Sequence, residues 1–383
     1  MHITRLELKG FRNYDFLEIE PGSRLNVIWG PNAAGKTSIL EAILYASTGR
    51  SPRAANESEM VKWGGRYFHL RMNAQRNTGT VTLEVGYEVG GKRLLRVNGT
   101  SQRPGSAVLG KVCVVTFFPP DVYLIRGSPA MRRRFLDLTL SQVSRAYHQS
   151  LVEYQKVVLN KNNLLKQYFG KPMDNALLEP WDSQLVTLGS YIIRKRLEAL
   201  SRISVWARET HLSLSGGEEL SMTYVSSVDA VDRPECEGED GIARALHEAL
   251  SRKRNEERRL CVSIVGPHRD DIRFYIDGKD ARAFASQGQQ RSAAVSLKTA
   301  EVRLMEHETG ETPVFLMDDV LSELDPTRQR AISEIVMAGT QTFITTTEPP
   351  DRTHSSGLIS DDVCGRFKVF KVEAGRVTES CNA

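Results

Sequence analysis

The chain has 383 residues, of which 40% are hydrophobic and 26% charged, with a formal net charge of +4. That length exceeds one ordinary domain, and the composition is that of a water-soluble globular protein. No stretch approaches the roughly 18 apolar residues of a membrane helix, so no membrane partner is expected. The opening MHITRLELKGF enters strand-like alternation at once and lacks the apolar core of a secretory signal. Five cysteines (Cys113, Cys236, Cys261, Cys364 and Cys381) are widely spaced and form no CxxC pair. They argue against a disulfide framework and a zinc site, and suit a reducing cytoplasm. The net charge is too mild to indicate nucleic acid without local clustering.

In chain order, alternation predicts strands over 3–8 and 16–19, and an apolar strand over Arg24–Trp29. A buried helix fits 38–46. Strands fit 67–75, 80–89 and 93–97, with turns at Gly90-Gly91 and Asn98-Gly99. From Ser128 to about Leu212 the chain reads as long helices, broken around Gly170–Pro172 and at Pro180. Residues 226–241 read as a polar, acidic loop and about 242–259 as a helix. Strand signals then return at 263–265 and 273–276, a helix runs from Gln287 to about His307, and strands fit 313–317 and 342–346. The simplest architecture is an α/β ATPase head built from both chain ends, 1–127 and 260–383, with a mainly helical lobe, 128–259, inserted between them.

Residues 30–37, Gly30-Pro31-Asn32-Ala33-Ala34-Gly35-Lys36-Thr37, meet the G-x-x-x-x-G-K-[ST] pattern at every position. Gly30 and Gly35 let backbone N–H groups turn inward around phosphate oxygens, and the following helix adds its positive end. Lys36 can reach the β- and γ-phosphates of ATP, and Thr37 can ligate Mg²⁺. An apolar strand before the loop and an apolar helix after it argue against a chance glycine turn. The partner carboxylates are expected at Asp318 and Asp319, where ValPheLeuMet ends in two acids. Asp318 would hold Mg²⁺, Asp319 would orient or deprotonate the attacking water, and Lys36 completes the catalytic set. The phosphate loop needs such a carboxylate on an adjacent strand.

Ser286-Gln287-Gly288-Gln289-Gln290-Arg291 opens an alanine- and leucine-rich helix, so Ser286, Gly288 and Gln289 can face an anion. ABC-type ATPases use such a segment against the γ-phosphate held by the opposite subunit, and SerGluLeuAsp (322–325) fits their D-loop. LeuSerGlyGlyGluGlu at 214–219 competes for the same role. Its sequel alternates like a strand, it offers no helix N-terminus, and its two glutamates would repel a triphosphate.

Several segments together resemble the RecF family, part of the SMC/ABC-type ATPases, over nearly the full chain. They are LeuLysGlyPheArgAsnTyr (8–14), the phosphate loop, PheProProAsp (118–121) and GlySerProAlaMetArgArgArgPheLeuAsp (127–137). GlyProHisArgAspAsp (266–271), the Ser286 segment and AspAspValLeuSerGluLeuAsp (318–325) complete the set. The resemblance implies an ABC-type P-loop head and an ATP-bound homodimer. It also implies binding to double-stranded DNA and gap junctions, and work with RecO and RecR to load RecA in repair and replication restart. Asp319, where many ABC ATPases carry Glu, leads us to expect slow hydrolysis. After the last core strand the chain reads ThrThrThrGlu (345–348) where others present a histidine; Thr347 either supplies a hydroxyl near the γ-phosphate or packs at a strand end.

Arg126 with Arg132, Arg133 and Arg134 is the densest basic cluster and the first candidate for DNA contact. Arg194–Arg196, Arg252–Arg254 and Arg258-Arg259 mark further basic faces. Each run reads equally as a solvated helix face with internal ion pairs. An SMC-like chromosome-organising or nuclease-associated head is the alternative, but those insert far longer heptad helices. A transporter subunit would bring its motifs closer together than Lys36 and Asp318 stand here.

Overall fold

The computed structural model describes residues 1–380 apart from 92, 103–107, 229–237, 320–324, 326, 330, 331, 333, 335–338 and 350–366. In chain order its elements are β1 (His2–Phe11), β2 (Tyr14–Ile19), β3 (Leu25–Trp29), α1 (Lys36–Thr48), β4 (Tyr67–Arg76), β5 (Gly79–Glu88), β6 (Leu94–Val97), β7 (Thr100–Ser101) and β8 (Val114–Phe117). The helices α2 (Pro129–Val143), α3 (Arg145–Gln167) and α4 (Glu179–Ser215) follow, then β9 (Leu220–Val225) and α5 (Gly238–Leu260). The chain continues through β10 (Asp271–Ile276), β11 (Lys279–Asp280), α6 (Ala281–Phe284) and α7 (Gln287–Thr309). It closes with β12 (Val314–Asp318), β13 (Thr342–Thr346), β14 (Phe367–Glu373) and β15 (Arg376–Ser380). Two compact units result: 1–123 with 206–218 and 286–383, and 124–205 with 219–285.

The first unit holds two sheets. One has the order β15-β14-β3-β13-β12-β8, parallel throughout except for the terminal β15. Its strands β3 and β12 are short and largely apolar, as strands covered on both faces must be. Leu25, Val27 and Ile28 of β3 and Val314–Met317 of β12 are buried. The other sheet, β2-β1-β4-β5-β6-β7, is antiparallel and joins neighbours by hairpins. Helix α1 contacts strands of both sheets, and Ile39, Leu40 and Ile43 bury completely in their shared core. A helix buried on nearly every side is stable only in such a position, and its buried Glu41 is paired with Arg12.

The second unit carries α2, α3, most of α4, α5, α6 and the small sheet β11-β10-β9. Buried charges inside it are paired. Arg196 gives its guanidinium to Asp137 at 2.8 Å, to the Tyr224 hydroxyl and to the Pro267 carbonyl, and Lys161 lies between Asp182 and Glu257. GlyProHisArgAspAsp sits at the centre of this network: Asp270 accepts from the Tyr224 hydroxyl at 2.6 Å, and Asp271 accepts from Arg132.

Three expectations change. Residues 263–265 are a loop, because the N–H groups of Ser263 and Ile264 are taken by the side chains of Asn162 and Glu257, which leaves no ladder to join. Pro180 does not break a helix but lies in the first turn of α4, where a missing N–H costs nothing. Residues 238–241 belong to α5, so only 226–228 of the expected acidic loop are described as loop. Strands β8, β14 and β15 have no counterpart in the sequence reading. The β14–β15 hairpin turns through Ala374 and Gly375, both at positive φ, which matches the right-handed twist of its strands.

Candidate functional site

The phosphate loop leaves β3 at Gly30 and enters α1 at Lys36. Two glycines are required by geometry. Gly30, at φ +154°, would place a Cβ 2.1 Å from the Val372 carbonyl oxygen. Gly35, at φ +118°, would drive one to 2.3 Å from the Asn13 amide. The outside of the loop is tied down: Asn13 Nδ2 donates to the Ala34 carbonyl at 2.8 Å, the Tyr14 hydroxyl to that of Gly35, and the Gly375 N–H to Ala34. Its inside faces a cavity of about 820 Å³. Helix α1 starts without a side-chain cap, and Gly35, Lys36, Thr37 and Ser38 at its start line that space.

Lys36 is 93% buried, and its ammonium donates to the carbonyls of Gly30 (2.7 Å) and Pro31 (2.9 Å). Burial lowers its pKa from the ordinary lysine value, while the carboxylates of Asp319 and Asp318 pull it back up. The structure brings Lys36, Thr37, Asp318 and Asp319 to one cavity wall. Thr37 donates to Asp318 Oδ1 at 2.9 Å.

The carboxylate was expected on a strand adjacent to the loop strand, and it is not there. Strand β13 runs between β3 and β12, pairing with each in parallel. It adds a residue that the sequence did not reveal. Thr345 donates to Asp318 Oδ1 at 2.7 Å, and its own hydroxyl oxygen accepts from the Asp319 N–H at 3.0 Å. Asp319 itself sits at φ +52°. Thr347, two residues on, is exposed. The only sequence signal for Thr345 is the ThrThrThr run, which does not say which hydroxyl faces the acids. Arg12 and Asn13 also line the cavity, with Arg12 held by both carboxylate oxygens of Glu41 at 2.8 and 2.6 Å. A hydroxyl and a carboxylate that already converge, beside a loop with open N–H groups and a lysine, fit a hard divalent cation and a triphosphate.

Ser286 caps α7. Its hydroxyl accepts from the Gln289 N–H, while the Gln289 side chain accepts from the Ser286 N–H, a reciprocal capping box. Arg328 holds this turn from behind, donating to the Gly288 carbonyl at 2.8 Å and to Ser292, and pairing with Asp325. Ser286, Gly288 and Gln289 are not among the residues lining the cavity. Of the expected D-loop, 322–324 lie outside the described residues. LeuSerGlyGlyGluGlu proves to be the end of α4 and the turn that leads into β9, with Gly216 and Gly217 both at positive φ. A helix C-terminus presents carbonyls, the wrong polarity for phosphate.

The basic cluster divides. Arg132 is 2% exposed, bound to both oxygens of Asp271 and to the carbonyls of Ile125 and Gly127, so it has nothing to offer a DNA phosphate. The expectation of a DNA contact at Arg132 is not supported, because Arg132 is buried and paired with the half-buried Asp271. Arg133 donates to the Asp270 carbonyl. Arg126 and Arg134 are exposed, Arg126 with one contact to the Ala285 carbonyl at 3.3 Å. Arg194 and Lys195 pair with Glu198, and Lys253 with Glu256, as solvated helix faces do. His268 is committed to the interior: its Nε2 faces the Ser263 carbonyl and its Nδ1 the Tyr154 hydroxyl at 2.7 Å.

A parallel β-sheet with a phosphate loop after one strand and paired acids after another defines a P-loop ATPase head of the ABC type, made from both ends of the chain. The comparisons agree. A family described as an AAA domain matches residues 5–166. The DNA replication and repair protein RecF of Symbiobacterium thermophilum is 41% identical over 98% of each chain. That of Bacillus subtilis is 37% identical over 93% of this chain and 96% of its own. A solved structure of the recombination mediator protein RecF with ATP, in the RecFOR pathway, superposes with a TM-score of 0.89 at 33% identity, covering 99% of this chain and 98% of that one. An Smc head domain from Pyrococcus yayanosii shares the fold, with a TM-score of 0.56 at 13% identity. The chain belongs to the RecF family of DNA replication and repair proteins. No helix among the described residues is long and apolar enough to cross a membrane.

Proposed function

We propose that the protein is an ATP-gated DNA clamp, whose two copies close on two nucleotides and reopen on slow hydrolysis. One observation carries the reading: the phosphate loop and its acids line one cavity, while the capped Ser286 turn stands outside it, its box leaving the Gln287 and Gly288 N–H groups of the helix start unclaimed. Such a site lacks donors on one side, and a second copy can supply them. In this reading the backbone of 30–35 and Lys36 bind the β- and γ-phosphates, and Thr37 and Asp318 hold Mg²⁺. When bound, Mg²⁺ neutralises charge that develops on the phosphates. Asp319 orients or deprotonates the attacking water, and Thr345 fixes the direction of both acids. Ser286, Gly288 and Gln289 of the second copy face the γ-phosphate. The neighbours' RecFOR setting supports RecO and RecR as partners; RecA loading at single-strand gaps is the outcome we propose for that assembly. That setting also fits the expected place in the cytoplasm. Exposed Arg126 and Arg134 are the candidate phosphate contacts for duplex DNA.

The test measures sedimentation and duplex binding with ATP, ADP or no nucleotide across a salt series. The expected result is dimers and salt-sensitive DNA binding with ATP alone; monomers that ignore DNA in every nucleotide state would overturn the reading.

A further inference from the structure

The segment Leu214-Ser215-Gly216-Gly217-Glu218-Glu219 is rejected as a phosphate site, yet its geometry is tightly specified. Gly216 (φ +74°) and Gly217 (φ +117°) reverse the chain, and the Gly217 N–H closes back on the Leu212 carbonyl. Ser215 locks the reversal, its hydroxyl donating to the His211 carbonyl and accepting from the Glu218 N–H at 3.0 Å. The result is a half-buried glutamate at a fixed position. Its Oε1 accepts from Gln289 Nε2 at 2.8 Å.

That contact decides the orientation of an amide. With Nε2 turned to Glu218, Gln289 must present Oε1 to the Ser286 N–H, which it does at 2.8 Å. The opposite flip would set the amide nitrogen against another donor. In the observed state the Ser286 and Gln289 N–H groups are satisfied within the box. The N–H groups of Gln287 and Gly288, which a helix start leaves without intrahelical partners, stay available together with the Ser286 hydroxyl hydrogen. A flipped or loose Gln289 would place its own amide across that set.

We infer that Glu218 is a positioning residue for the phosphate-facing turn of α7, acting through the orientation of Gln289. The inference rests on the reading of Ser286–Gln289 as the part of the site that serves the second copy. Glu218 touches neither nucleotide nor metal in this scheme.

The experiment compares full-length Glu218→Ala, Glu218→Gln, Gln289→Ala and the Glu218→Ala/Gln289→Ala double variant. It reads ATP binding by the monomer, ATP-driven dimerisation and melting temperature. Glu218→Ala is expected to bind ATP normally and to dimerise up to about tenfold more weakly, because the turn must then be reordered on association, a cost bounded by one charge-assisted hydrogen bond. Glu218→Gln keeps an acceptor for Gln289 and should stay within about twofold of the parent. The double variant should be no weaker than Gln289→Ala, since Glu218 has nothing left to hold. Parental dimerisation by Glu218→Ala, additive losses in the double variant, failure of Glu218→Gln to rescue, or loss of monomer ATP binding each overturns the inference. Ser286→Arg serves as the control: if it also dimerises with ATP, the underlying reading of α7 falls and this inference with it. If Ser286→Arg fails to dimerise while Glu218→Ala behaves as the parent, only the role of Glu218 falls.

Discussion

Thr345 donates its hydroxyl to Asp318 Oδ1 at 2.7 Å, across the boundary between two parallel strands. The same oxygen of Asp318 accepts from Thr37 at 2.9 Å, so strand β13 and helix α1 aim one carboxylate together. Thr345 also receives the Asp319 N–H and thereby holds the backbone at the second acid. Thr345→Val keeps the shape and removes the hydroxyl. It leaves a partly buried N–H and a carboxylate each short of a partner, a loss of about 1–3 kcal/mol. We expect ATP hydrolysis to fall by about tenfold or more, with nucleotide affinity within a few-fold of the parent. Single-turnover hydrolysis beside equilibrium ATP binding separates the two.

Gly35→Ala should abolish nucleotide binding while the protein remains folded. The new methyl would stand 2.3 Å from the Asn13 amide at a backbone φ of +118°. The loop must open to accommodate it, and the N–H groups then no longer converge. The stabilisation of melting temperature by saturating ATP, present in the parent through mass action, should vanish in the variant.

Arg132 and Arg134 are two residues apart and should fail differently. Arg132→Ala leaves the half-buried Asp271 without its bidentate partner, at a cost of about 1–3 kcal/mol. Denaturant titration should show this before any DNA assay does. Arg134→Ala, at an exposed position, should leave stability within about 0.5 kcal/mol. If it contacts DNA phosphate, the salt dependence of duplex binding should become shallower by about one unit of slope.

Burial pushes the His268 imidazole down from 6.5 to about 4, opposed in part by its hydrogen bond to the Ser263 carbonyl. Because Ser263 can only accept, Nε2 carries the proton and Nδ1 accepts from Tyr154. Between those two values the unfolded chain binds a proton that the folded chain refuses. This contribution is therefore fully present above pH 6.5 and is lost as pH falls toward 4. The total is about 3 kcal/mol. Urea midpoints at pH 7.5 and pH 5, for the parent and for His268→Gln, should show a smaller acid loss in the variant.

The phosphate loop, the acid pair and the Ser286 turn are local patterns, and local chemistry sufficed to find them. A glycine must stand where φ is positive, an apolar strand must precede the loop, and a Ser-x-x-Gln box must open a helix. The helices and most strands were legible for the same reason, because periodicity records which face is buried. Strand 263–265 was misread because a short β-branched stretch looks the same whether its N–H groups meet a neighbouring strand or, as here, the side chains of Asn162 and Glu257.

The sequence by itself determined that this chain carries a phosphate-loop pattern at Gly30–Thr37 and paired acids far downstream, because each motif closes within a few residues. Only the tertiary structure decided that β13 separates the two strands and that Thr345 joins the acids. It also decided that Arg132 is consumed by Asp271 and that Glu218 reaches Gln289. Each of those contacts links residues from about 25 to about 140 positions apart, and no spacing rule spans such separations. They follow from strand order and burial, which the chain settles only when it folds.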